Sequence, residues 1–145
     1  MTNIIYTVAV FPGRGTCNGA IMTNVVTASG ARVAYRVQGQ GPAVVMVNGT
    51  AALDVHWGTV IDQLSEIRTV ISLDYSGSGE TTDNGRALSL KILTDQVAAV
   101  ANAAGVATFD VVGHSLGAAV ATSLSVDMPG SVRSLRSDCR ISLGW

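Results

Sequence analysis

Charge is scarce in this sequence and nowhere clustered. Asp, Glu, Lys and Arg make up only 13% of the residues, and the formal net charge is -1. Nucleic acid and anionic membranes both require grouped cations, so neither is expected as a main partner. Long apolar runs are missing too, each falling well short of the ~20 residues that cross a bilayer. The longest, Val97 to Ala107, carries Asn102 and Gly105 and reads as a buried helix running into its cap. Cysteine is reduced to Cys17 and Cys139, near opposite ends of the chain and neither in a CxxC nor beside a histidine. They support neither a metal site nor a disulfide scaffold. We read them as unpaired thiols in a reducing cytosol, and expect no metal and no cofactor. The stretch Met1–Phe11 holds no Lys or Arg, so no secretory signal is expected.

What is present is apolar. Such residues form 48% of the 145, enough for one core in a chain too short for two ordinary domains. Met1-Thr2-Asn3 recurs as Met22-Thr23-Asn24, directly before the first strand-like segment. This echo predicts an unstructured leader at 1–21, and the charge that gathers after Val132 predicts that a partial domain at 22–135 gives way to an atypical tail at 136–145.

From Asn24 onward the apolar spacing alternates between short β-type runs and helix-length amphipathic runs. Val25–Thr27 and Ala31–Val37 flank Ser29-Gly30 and predict a hairpin. Ala43–Val47 is a continuous apolar run, as in a strand covered on both faces, and Thr69–Leu73 and Phe109–Val112 read as a second and a third buried strand. Between and after them, Val55–Glu66, Ser89–Ala104 and Ala118–Met128 carry helical spacing. Strands alternating with helices predict an α/β fold, mostly parallel, with helices on both faces.

Between the third buried strand and its helix stands Gly113-His114-Ser115-Leu116-Gly117, a G-x-S-x-G. A strand that turns sharply into a helix strains its corner residue, and side chains two positions either side would collide. Ser115 at that corner projects its hydroxyl above the sheet, near the free N–H groups of a helix start. A glycine-rich phosphate or cofactor turn is the competing reading. Against it, neither G-x-G-x-x-G nor G-x-x-x-x-G-K-[ST] occurs.

Two further segments accompany the elbow. Val44-Val45-Met46-Val47-Asn48-Gly49-Thr50 with Trp57, and Asp74-Tyr75-Ser76-Gly77-Ser78-Gly79-Glu80-Thr81, precede it in order. With Met128-Pro129-Gly130-Ser131-Val132 after it, the chain from about Asn24 to Leu135 resembles the N-terminal part of the α/β-hydrolase superfamily, an incomplete fold. Asn48 stands where that family usually has histidine, and Thr81 where it has serine. The resemblance implies that Ser115 is the nucleophile, forming an acyl-enzyme with a small-molecule acyl substrate. It places the oxyanion hole at the backbone N–H groups of Thr50 and Leu116, with Gly113 and Gly117 as the elbow glycines.

The family's triad order is Ser, Asp or Glu, then His. After Ser115 the carboxylates are Asp127 and Asp138, and no histidine follows. Asp127 ends a helix far from the serine and reads as a surface acid. His114 reads as a packing residue, His56 as a helix-start position, and Asp54 and Asp83 as loop acids. Asp110 lies at the wrong end of its strand to orient a base. The segment Arg133–Arg140 carries too much charge for a central strand. The expectation is thus a serine hydrolase for ester or related acyl bonds, catalytically incomplete in this chain and able to self-associate through an open sheet edge. A carrier-protein acyltransferase, which can share GHSLG, and a non-catalytic binding module are the alternatives.

Overall fold

The computed structural model describes residues 23–50, 53–82 and 85–138, the side chains of residues 53–56 excepted. The proposed leader, both cysteines, Asp83 and the side chains of Asp54 and His56 lie outside the described residues.

Six strands form one sheet: β1 (Asn24–Ala28), β2 (Ala31–Gln38), β3 (Ala43–Val47), β4 (Thr69–Asp74), β5 (Phe109–His114) and β6 (Val132–Asp138). Three helices connect them: α1 (Leu53–Ser65), α2 (Leu90–Ala103) and α3 (Leu116–Asp127). The spatial order is β1-β2-β4-β3-β5-β6, with β2 antiparallel to both its neighbours and β4, β3, β5 and β6 mutually parallel. Every expected element is found, with ends shifted by a few residues.

Local chemistry sets the boundaries. The β1–β2 hairpin turns on Ser29 and Gly30, both at positive φ (51° and 80°), the backbone twist that matches paired strands. Ser89 caps α2 by accepting the Ile92 N–H at 3.3 Å. At the other end Gly105 takes φ 72°, its N–H donating to Asn102 while Val106 N–H donates to Ala101. That is a Schellman closure, which glycine makes without strain.

Alternation along the strands sorts side chains to two layers. Val44, Met46 and Val70 pack with Ile61, Trp57 and Leu64 of α1. Val45, Ile71, Leu73 and Val111 pack on the other face with Leu93, Val97 and Val100 of α2 and Val120 and Leu124 of α3. All five residues of β3 are therefore buried, which accounts for an uninterrupted AVVMV.

The charged segment after Val132 does form a strand, at the edge of the sheet rather than its centre. Arg136, Ser137 and Asp138 are exposed there. Arg133, its side chain 42% exposed, reaches Asp110 at 3.2 Å, so its charge is neither buried nor unpaired. Among the described residues no further strand pairs with β6, and its outer edge is open.

Candidate active site

The strand order reverses around β3: α1 carries the chain to β4 on one side, and α2 returns it to β5 on the other. At such a reversal the carboxyl ends of the two adjacent strands open a crevice. Both segments expected to carry chemistry, Asn48–Thr50 after β3 and Gly113–Gly117 from the end of β5 into α3, lie at that end.

Ser115 joins β5 to α3 with φ 54° and ψ -120°, a strained conformation for a residue with a side chain. It is exposed, and its side chain makes no capping hydrogen bond. Its N–H donates to the Asp138 carbonyl at 2.9 Å, and its own carbonyl accepts from Ala118 N–H at 2.9 Å. The flanking glycines explain how the corner closes. A Cβ on Gly117 would overlap the carbonyl oxygens of Val47 and Asn48, and one on Gly113 the backbone of Gly117 and Ala118. Helix α3 thus lies directly against the end of β3.

The loop after β3 approaches the serine closely. A Cβ on Gly49 would stand 3.3 Å from Ser115 Cβ and 3.5 Å from His114 Nδ1. Asn48 is fully buried, so the residue in the usual histidine position points into the fold. Tyr75, immediately after β4, donates its hydroxyl toward the carbonyls of Asn48 and Gly49, the latter at 2.7 Å. Burial pushes its phenol up to about 12, so it stays protonated as a donor at neutral pH. Nothing in the sequence singled Tyr75 out; only its place beside the loop does.

The Asp74 segment forms a tight turn. Glu80 N–H donates to Asp74 Oδ2 at 3.2 Å, and Thr81 Oγ1 donates to the Asp74 carbonyl while accepting Ala34 N–H at 2.9 Å. Thr81 supplies the hydroxyl expected of serine there. Ser76 and Gln96 bond reciprocally in the buried interior, N–H to Oε1 at 3.0 Å and Nε2 to Oγ at 2.7 Å, tying this turn to α2.

The other groups disperse as the sequence implied. His114 sets its ring edge-on to Trp57, centroids 6.1 Å apart. Asp127 ends α3, and Asp138 ends β6 opposite His114 in the strand register. Asp110 sits at the opposite end of β5, bonded by Arg68, by Arg133 at 3.2 Å and by Ser134 at 2.9 Å. Partial burial works against its charge. The bonds from Arg68 and Ser134 and the two guanidinium charges outweigh that, and its carboxyl is held below the usual range. Among the described residues no group of three His, Cys, Asp or Glu side chains could hold a metal ion. No helix there is long and apolar enough to cross a membrane.

A sheet in this order, with a strained serine between β5 and α3, defines an α/β-hydrolase scaffold. The family model for the alpha/beta hydrolase fold matches residues 42–143, and the chain belongs to that family. It is 43% identical over 111 residues to the pyrrolizixenacetamide deacetylase of Xenorhabdus hominickii, covering 76% of this chain and 42% of that protein. It is 33% identical over 107 residues to the dihydrolipoyllysine-residue acetyltransferase component of the acetoin cleaving system of Cupriavidus necator, covering 73% and 29%. The chain therefore spans less than half the length of these curated relatives. Among solved structures, an epoxide hydrolase from Vigna radiata superposes with a TM-score of 0.74 at 23% identity, over 81% of this chain and 39% of that one. At that identity the likeness is one of fold.

Proposed function

We propose that this chain carries the nucleophile half of a serine hydrolase acting on ester or related acyl bonds of a small molecule. In this reading Ser115 Oγ attacks the acyl carbon, and the developing oxyanion accepts hydrogen bonds from the Leu116 and Thr50 backbone N–H groups. The observation that carries the proposal is the elbow itself. Ser115 is held at φ 54° between two glycines that admit no side chain, with Gly49 of the neighbouring loop against it. Strain of this kind persists only where the surroundings impose it, and it clusters at reactive positions. Similarity to a protein named as a deacetylase supports an acyl bond as the target.

The base is the weak point of these 145 residues. No histidine follows Ser115, and the His114 ring is packed on Trp57. Without a base a serine hydroxyl is a poor nucleophile, and only the residual rate from the oxyanion hole and binding remains. We therefore expect the chain alone to show little or no turnover of p-nitrophenyl acetate. The open edge of β6 offers unpaired backbone groups to another chain, and the isolated chain should self-associate through it.

A fluorophosphonate probe tests the nucleophile. Slow labelling that disappears in Ser115→Ala supports the proposal. Labelling retained in Ser115→Ala overturns it, and complete absence of labelling at any pH favours a binding module that keeps the fold without the chemistry. Size-exclusion chromatography on the same sample tests association, and a stable monomer with efficient, Ser115-dependent turnover would leave the nucleophile in place while refuting the expected incompleteness and self-association.

A further inference from the structure

Tyr75 is 2% exposed, and two consecutive carbonyls, those of Asn48 and Gly49, converge on its hydroxyl. The phenol has a single O–H to share between them. Without it, both carbonyls of this buried loop segment would lose the phenol's hydrogen bond, a cost that the loop would lessen by rotating the Gly49–Thr50 peptide unit.

The consequence lies on the far side of those peptides. A peptide unit is planar and trans, so its N–H points opposite to its C=O. The Gly49 carbonyl and the Thr50 N–H belong to one such unit, and the Asn48 carbonyl and the Gly49 N–H to the preceding one. Whatever holds the carbonyls therefore aims the N–H groups. Tyr75 is buried, whereas Thr50 is exposed and follows directly on Gly49, the residue that lies against Ser115. Drawing the Gly49 carbonyl onto the phenol turns the Thr50 N–H away from the interior and out toward the mouth of the site. The phenol is well anchored for this task. It follows directly on β4, next to β3 in the sheet, and Asp74 before it is fixed by Glu80 N–H and Thr81 Oγ1.

We propose that Tyr75 is the positioning residue of the oxyanion loop: its hydroxyl fixes the two peptide planes after β3 and thereby sets the direction of the Thr50 N–H. This rests on the reading of that N–H as an oxyanion donor, and the experiment separates the two. Residual dipolar couplings of the ¹⁵N-labelled chain report N–H directions without any turnover. In Tyr75→Phe the couplings of Gly49 and Thr50 should change while those of Ala43–Val47 and Phe109–His114 stay as in the unsubstituted chain. Unchanged couplings at Gly49 and Thr50 overturn the proposal. Fluorophosphonate labelling of Ser115 should fall about tenfold or more in the same variant, since one oxyanion donor is misdirected. A redirected Thr50 N–H with undiminished labelling would sustain the positioning role and remove Thr50 from the oxyanion hole. If Tyr75→Phe gives no dispersed spectrum, 3-fluorotyrosine in the otherwise unchanged chain replaces it. The more acidic phenol donates more strongly, so the Gly49 and Thr50 amide resonances should shift, and constant resonances would overturn the proposal equally.

Discussion

The two ends of β5 are held in opposite ways. At its amino end Asp110 gathers Arg68, Arg133 and Ser134, long or mobile side chains meeting at a partly exposed carboxylate. At its carboxyl end the restraint is crowding. Gly113 and Gly117 stand where a single added carbon would overlap backbone atoms, and Ser115 between them takes a conformation few side chains adopt. Charged side chains can reorient and water can replace a lost partner, so the first arrangement is forgiving. Backbone packed against backbone has no such freedom, because moving one atom moves a strand. The end proposed to carry the chemistry is the one that tolerates no adjustment.

Gly117→Val should break that contrast most severely. Its branched side chain would meet the Val47 and Asn48 carbonyls, which cannot withdraw without shifting β3. A loss of about 3 kcal/mol or more is expected, at the upper end of overpacking effects. Gly130→Ala is the control, because an added Cβ there meets nothing within 4 Å. Its effect should stay within about 0.5 kcal/mol. Urea unfolding followed by circular dichroism measures both, and similar midpoints for the two variants would show that crowding at the elbow is not the constraint.

Asp110→Asn should act more gently, lowering stability by about 1 kcal/mol at neutral pH, since the ion pairs are partly screened by solvent. The sign with pH follows from the direction of the shift. The folded carboxyl is held below its ordinary range, so its contribution is fully present above the unfolded value of about 4. It is lost as pH falls through the lower folded value. The gap between the parent chain and Asp110→Asn should therefore be constant from pH 7 to about pH 5 and close only in stronger acid. A gap that widens on acidification would mean that Asp110 is not held as described.

The same contrast separates what the sequence reveals from what it hides. Strand β3 was legible because both its faces are buried and its apolar run is unbroken, and β4 and β5 because apolar β-forming residues dominate each short run. The elbow was legible because its glycines sit at a fixed spacing between a strand and a helix. The reading of Arg133–Asp138 stopped at charge content, which excludes a central strand but not an edge strand with an acceptor at Asp110. That acceptor lies 23 residues away in sequence, beyond any local pattern. Tyr75 escaped notice for a related reason. Its partners are backbone carbonyls 26 and 27 residues earlier, and carbonyls leave no mark on composition. Side-chain periodicity announces burial; bonds from a side chain to distant backbone do not announce themselves.

The smallest expected effect runs opposite in sign. At Ser115 the strained backbone costs on the order of 1–3 kcal/mol for a residue with a Cβ, and glycine would be free of most of it. Little is lost in exchange. The side chain is exposed, makes no capping bond to α3, and leaves room when removed. Glycine's greater freedom in the unfolded chain gives back about 0.5–1 kcal/mol. Ser115→Gly should therefore be more stable than the parent by a few tenths to about 1 kcal/mol. Ser115→Ala, which keeps the Cβ and hence the strain, should lie near the parent. Thermal or urea unfolding of the three chains side by side makes the comparison. Equal stability of the glycine and alanine variants would mean that the corner stores no strain, and the tension at this end of β5 would have to be sought in the glycines alone.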